Sequence, residues 1–298
     1  MRGQARGPWI LKRIRQILYV ATHPISHKRC QEVVRRSGLA PDPLTSLKYV
    51  GNHLALSLKA ADRRLALTSH YALLPRIVGS ETSRFRDGVL IWRKHVGGDA
   101  PDMTICLELS KLAPMEGELQ LRFSFRSDLF VLTFTIADGK VFCSEMPTVI
   151  FIGGVQGHVG RREELREASR LNDEISPITM LILTIRAIAG ALGISEILAI
   201  AEDDHVSLSY APPFFFNYAH LWGDVGGKRV GRYYRIPLAA PHKDLSDVSA
   251  SHRSRARRRR EAKETIRMQI EERMISLFSG STQTSSAMEG DLSLPRSA

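Results

Sequence analysis

Cysteine is scarce in this chain: three residues in 298, Cys30, Cys106 and Cys143, far apart and odd in number. No pair has the C-x-x-C spacing of a metal knuckle or redox motif, so reduced and mostly buried thiols are expected. Unbroken apolar runs are missing as well. Behind Arg2 and Arg6 the first apolar stretch is interrupted by Lys12, Arg13 and Arg15. That pattern argues against a signal peptide, which needs a continuous apolar core. The longest apolar segment, 178–194, carries Arg186 at its middle. A central arginine costs about 2.5 kcal/mol or more in lipid, and the segment is short for a span. It is expected to be a buried helix of a soluble, cytoplasmic protein. There is no internal repeat, no P-loop and no G-x-G-x-x-G.

Charge is present but unevenly placed. The formal net charge is +11. Residues 1–36 hold nine Lys/Arg against one acid, and residues 252–273 hold nine against four, which leaves the remainder at about −2. The centre of the chain is therefore near neutral, and its ends are basic arms suited to an anionic surface. In the first arm, Trp9, Ile10, Ile14, Ile17, Leu18 and Ala21 recur at helical spacing, opposite Lys12, Arg13 and Arg15. That is a basic amphipathic helix, ended by His23-Pro24, which either lies on an anionic membrane or packs on the rest of the protein. The second arm contains Arg257-Arg258-Arg259-Arg260 without interleaved aromatics, so nucleic acid is the less favoured partner.

The periodicity divides the chain. Helical spacing over 26–36 and 44–77 predicts a mainly helical region over 1–89. From Leu90 the period becomes two: 104–109, 118–125 and 129–136 read as half-buried strands. The Asp138-Gly139 pair reads as a hairpin turn into a further strand at 141–143. Helices are predicted over 161–172 and 177–192, the second started by Pro177 and stopped by Gly193. Strands follow at 196–201 and 232–237. Strand, helices and strand in that order predict a crossover with locally parallel pairing. The fold class is α+β: a helical N-terminal region, a mixed sheet over 90–240 with a helical crossover, and a basic helix with a disordered tail over 241–298.

The organising stretch is Val149-Ile150-Phe151-Ile152-Gly153-Gly154-Val155-Gln156-Gly157. It reads as a buried strand running into a glycine turn, followed by a charged helix start at Arg161-Arg162. A strand, a glycine turn and a helix N-terminus form an anion-binding arrangement. The candidate anion- or cofactor-binding residues are Gly153, Gly154, Gln156, Gly157, Arg161 and Arg162. A tight turn between a core strand and a surface helix is the plainer alternative.

These pieces resemble a known family. His70-Tyr71-Ala72-Leu73-Leu74, Gly117-Glu118-Leu119, the Gly-Gly-x-Gln-Gly stretch, Ala191-Leu192-Gly193-Ile194, His205, and Tyr218 through Trp222 to Gly226-Gly227 are similar to the VirK/YbjX family of Gram-negative bacteria. The resemblance implies support of virulence and of the cell envelope, through surface-protein display and antimicrobial-peptide resistance. It implies no agreed catalytic residues. Ala219 and Leu221 depart from its usual acidic and aromatic residues, and Glu202-Asp203-Asp204 from its asparagine-containing segment.

The same region is similar to the acyl-CoA-binding half of GNAT acyltransferases, although their Gln/Arg-x-x-Gly-x-Gly/Ala loop is not matched: Gly160 falls one place late. That likeness implies an acyl or aminoacyl transferase acting on an envelope component, with acyl-CoA as the cofactor; otherwise none is expected. His205, just past a strand end, and Tyr218 (or Tyr210) are then the candidate catalytic residues. Solvated loop polarity is the plainer reading of His205 and its acidic neighbours, and an aromatic core under the sheet that of Phe214, Phe215 and Phe216. No metal is expected, because adjacent acids such as Asp203 and Asp204 rarely converge on one ion. The partner is an anionic membrane surface or envelope component, with the protein peripheral to the inner membrane. Enzyme and non-enzymatic support protein both remain open.

Overall fold

A computed structural model describes residue 14 and residues 17–39, 43–78, 84–98, 101–209, 217–241 and 249–279. Most of the predicted amphipathic helix (Trp9, Ile10, Lys12, Arg13, Arg15), Tyr210 and the last nineteen residues lie outside these. Residues 17–22 are helical, and the chain bends at His23 before α1, Pro24–Arg36. Ile14, Ile17 and Leu18 are exposed. A 3-10 helix at Pro43–Val50, α2 at Ala60–Val78 and the short α3 at Arg84–Asp87 complete the helical first part.

Among the described residues the sheet has eight strands: β1 Val89–Lys94, β2 Met103–Leu109, β3 Leu119–Phe125, β4 Ser127–Asp138, β5 Thr148–Gly157, β6 Ile197–Ile200, β7 Lys228–Val230 and β8 Tyr233–Ile236. Their spatial order is β1-β2-β3-β4-β5-β6-β8-β7. The first five form an antiparallel meander, β5 and β6 pair in parallel, and β8 enters antiparallel between β6 and β7. The parallel pair needs a crossover, supplied by α4 (Arg162–Leu171) and α5 (Pro177–Ala191). Ser176 caps α5 by accepting from Thr179 N, Pro177 fits its first turn, and Gly193 follows it at φ +64°. No helix among the described residues is long and apolar enough to cross a membrane. Arg186 is buried within α5, its guanidinium donating to the carbonyls of Pro237 (2.9 Å) and Val225 (2.8 Å).

Two local expectations change. Residues 141–143 do not form a strand: Gly139–Phe142 is a 3-10 turn, capped by Asp138, and Cys143 takes the left-handed conformation. The Asp138 carboxylate accepts from Lys140 N at 2.9 Å, a local bond that starts a 3-10 turn within the 139–147 connection between β4 and β5. The glycine stretch is also no turn. Gly153, Gly154 and Gly157 all lie inside β5, and none has positive φ.

After β6 the chain makes two 3-10 turns, Glu202–Asp204 and Val206–Ser209, and resumes with α6, Tyr218–Asp224. The final helix α7, Arg253–Ser279, is basic at its start, but Ile266, Ile270, Met274 and Leu277 are buried along one face. Trp92 Nε1 donates to Gln269 (3.2 Å), and Arg273 Nε to Leu90 O (3.3 Å), fastening α7 to β1.

Candidate functional site

The sheet opens where β5 and β6 part. Only Ile150, Phe151 and Ile152 pair with β6, whereas β5 continues to Gly157 along β4. The β4–β5 register shifts between Thr133 and Phe134, which leaves Gly153 unpaired as a bulge. Bulges bend a strand, re-aim side chains and gather beside functional sites. Side chains from beyond β6 fill the opening. Tyr218 Oη accepts from Val155 N at 2.9 Å, and Trp222 Nε1 donates to Ile200 O at 2.8 Å. The rings of His205, Tyr218 and Trp222 stack in series, with centroids 5.5 and 5.6 Å apart.

Glycine is required here by close backbone approach. A Cβ on Gly153 would lie 1.7 Å from the carbonyl oxygen of Glu116, and one on Gly154 would lie 1.9 Å from Glu116 Oε2. A Cβ on Gly117 would lie 2.8 Å from Phe134 N and O. The segment before β3 thus presses against β4 and β5 and delivers Glu116 into the opening. Its carboxyl accepts from Gln156 Nε2 (2.9 Å) and, more distantly, Thr133 Oγ1 (3.4 Å).

Among the described residues no lysine or arginine pairs with Glu116, and the His205 Nε2 lies 3.7 Å from it. Burial pushes the Glu116 carboxyl up to about 7, against the lowering effect of Gln156 and then Thr133. His205 is fully buried, and burial brings its imidazole down to about 4, opposed by a backbone hydrogen bond with Gly153. Its Nδ1 accepts from Ser207 N at 3.2 Å, so the neutral ring carries its proton on Nε2. Burial, and then Glu116, raise the Tyr218 phenol far above its usual value, so it keeps its proton. At neutral pH the opening therefore holds one half-ionised acid, one neutral imidazole and one phenol.

A second buried acid two residues away behaves oppositely. Glu118 accepts from Lys48 Nζ (2.9 and 3.0 Å) and Tyr71 Oη (2.7 Å), with His53 Nε2 at 3.1 Å. Burial by itself would raise its carboxyl, but Lys48, then His53 and His70, hold it well below the ordinary carboxylate range. Tyr71 and Glu118, quoted above from two separate stretches of the resemblance, meet here as partners.

The remaining predicted residues are spread more widely. Gly160 makes a turn at φ +83°, and Arg161 precedes α4, where it pairs with Glu164 at 2.7 Å. Arg162 is exposed, and Glu163 and Glu164 already supply negative charge to the first turn of α4. Gly153, Gly154, Gln156, His205 and Tyr218 come together, whereas Gly157 packs on Phe130 and the two arginines stand with α4. The acids before His205 have fixed structural partners. Glu202 accepts from Ala219 N, Asp203 pairs with Arg229, and Asp204 accepts from Ser57 N (2.7 Å) and Ser57 Oγ (2.5 Å). Among the described residues no group of three or more His, Cys, Asp or Glu is placed to hold a metal.

Residues 10–272 match the model of a family described as a protein of unknown function, DUF535. The chain belongs to the DUF535, or VirK/YbjX, family. A DUF535 relative, the uncharacterized protein YbjX of Escherichia coli K12, is 27% identical over 258 residues, covering 81% of this chain and 74% of its own length. An uncharacterized protein of Haemophilus influenzae is 22% identical over 177 residues, 57% of this chain and 58% of its own. No solved structure matches. Sequence reasoning about this DUF535 chain passed over Glu116. The available signal was its place directly before the quoted Gly117-Glu118.

Proposed function

We propose that the protein transfers an acyl or aminoacyl group from a thioester to an amine or hydroxyl of a cell-envelope component, at the opening between β5 and β6. The observation that carries this reading is a buried carboxyl, Glu116, with no cation paired to it among the described residues, beside a bulged strand and the Tyr218 phenol; burial raises that carboxyl to about 7. A buried acid of that kind is matched to proton transfer near neutral pH. The strand order, with one parallel pair parting after three residues, supports the GNAT likeness.

In this scheme Glu116 takes the proton of the incoming nucleophile. The nucleophile bonds to the thioester carbonyl carbon, the C–S bond breaks, the thiolate leaves with a proton from Tyr218, and the proton held by Glu116 then replaces the one Tyr218 has given up. His205 accepts at Nδ1 and is neutral, so it positions Tyr218 and the bulge. The basic start of α7, where Arg257 and Arg258 are exposed, supports work at an anionic envelope surface and, with it, a role in virulence and peptide resistance.

The test is a melting-temperature titration with acetyl-CoA and palmitoyl-CoA, together with thiol release. Expected are a rise in melting temperature and a thiol-release rate that titrates near pH 7 and falls about 100-fold in Glu116→Gln. If neither thioester raises the melting temperature or releases thiol, the reading is wrong.

A further inference from the structure

A groove of about 770 Å³ lies between α5, α7 and residues 238–241, apart from the β5/β6 opening. Its floor is apolar: Leu183, Ala187, Gly190, Leu238, Pro241 and Ala256. Five cations and two carboxylates line it, a net of +3. Both carboxylates, Glu264 and Glu271, bond the same guanidinium, Arg267, at the far end of the groove. Arg259, Lys263 and Arg267 follow at four-residue spacing along one face of α7. Across from them Arg186 spends its hydrogen bonds on two neutral carbonyls, and no acid among the described residues pairs with it.

Lys263 is the telling residue. It is half-buried, faces the groove and has no carboxylate partner among the described residues. Burial first, then Arg259 and Arg186, push its ammonium below the ordinary value. Burial likewise brings Arg186 down to about 10, which still leaves it charged at neutral pH. Like charges gathered over an apolar floor raise one another's energy, and an anion set among them relieves that repulsion. The size is that of a small-ligand site, and an apolar floor beneath a cationic rim matches an amphiphile rather than a bare ion.

We propose that the α5–α7 groove binds an anionic phospholipid, with its phosphate between Lys263, Arg259 and Arg186 and the start of its acyl chains along Leu183, Ala187 and Leu238. This site is independent of the transfer chemistry proposed above, and neither fails with the other.

The test uses the full chain with water-soluble dihexanoyl-phosphatidylglycerol, inorganic phosphate, and vesicles of phosphatidylglycerol or phosphatidylcholine. The short-chain lipid should raise the melting temperature where equimolar phosphate does not, and phosphatidylglycerol vesicles should co-sediment the protein where phosphatidylcholine vesicles do not. Lys263→Met with Arg259→Gln should weaken both at least tenfold, whereas the exposed pair Arg257→Gln with Arg258→Gln should leave the short-chain lipid's effect intact. Ala256→Phe keeps every charge but fills the groove, and should also abolish the short-chain lipid's effect. Equal shifts with phosphate and lipid would overturn the lipid assignment. Equal losses of the short-chain lipid's effect in the two charge-removal pairs, or its full effect in folded Ala256→Phe, would overturn the groove itself.

Discussion

Gly154→Ala tests the packing beneath the candidate site, because its cost should depend on a single side chain. The new Cβ would lie 1.9 Å from Glu116 Oε2 and 3.1 Å from Thr133 Oγ1. The carboxyl must move, losing the 2.9 Å bond from Gln156 and crowding its surroundings. A buried hydrogen bond contributes about 1 kcal/mol, and overpacking a core costs about 1–3 kcal/mol. The substitution should therefore destabilise by about 2–4 kcal/mol, roughly 3–6 °C in melting temperature for a chain of this length. In a Glu116→Ala background the two closest contacts, both to the Glu116 carboxyl, are gone and Thr133 Oγ1 at 3.1 Å is the next nearest, so the same change should cost about 1 kcal/mol or less. The coupling, about 1–3 kcal/mol, is read from a double-mutant cycle by urea denaturation. Gly153→Ala is the contrast: its clash is with the Glu116 backbone oxygen at 1.7 Å, which truncating the side chain does not remove. If Gly154→Ala costs as much without the Glu116 carboxyl as with it, the account of this glycine fails.

Two further predictions concern the buried acids. Because the Glu116 carboxyl is raised from 4.5 to about 7, the folded state binds its proton more tightly than the unfolded chain does. Its contribution is whole below pH 4.5 and is lost as the pH rises to about 7. The stability difference between wild type and Glu116→Gln should thus fall by about 3 kcal/mol across that window, and a flat difference in denaturant melts would refute it. Glu118 is depressed instead, so its contribution is present above the unfolded value and lost in acid. Lys48→Met, which strands Glu118 in a buried site, should cost about 3–5 kcal/mol at pH 7. Adding Glu118→Gln should recover part of that loss, and no recovery would show that the pair is not coupled.

The sequence by itself determined the elements whose signals are local. Alternation placed β2, β3 and β4, and Pro177 with Gly193 bounded α5. Arg186 within the apolar run correctly marked a buried helix, and strand–helix–strand order correctly implied the parallel β5–β6 pair. The Asp138-Gly139 pair does start the link between the antiparallel strands β4 and β5, but the strand expected at 141–143 is a 3-10 turn within a longer connection.

Only the tertiary structure decided what the glycines and acids do. Gly153 and Gly154 were expected to supply a turn, yet they stay extended and yield space to Glu116, a residue nearly forty positions earlier. Glu116 and Glu118 look alike in sequence, two residues apart with apolar neighbours. One meets Gln156, Thr133 and a neutral histidine; the other meets Lys48, whose charge outweighs the same desolvation. Burial raises the pKa of any carboxyl, and whether a cation reverses that shift is set by which distant segment packs beside it. Periodicity reports the face a residue shows to the core, but the identity of its partner is a property of the assembled chain.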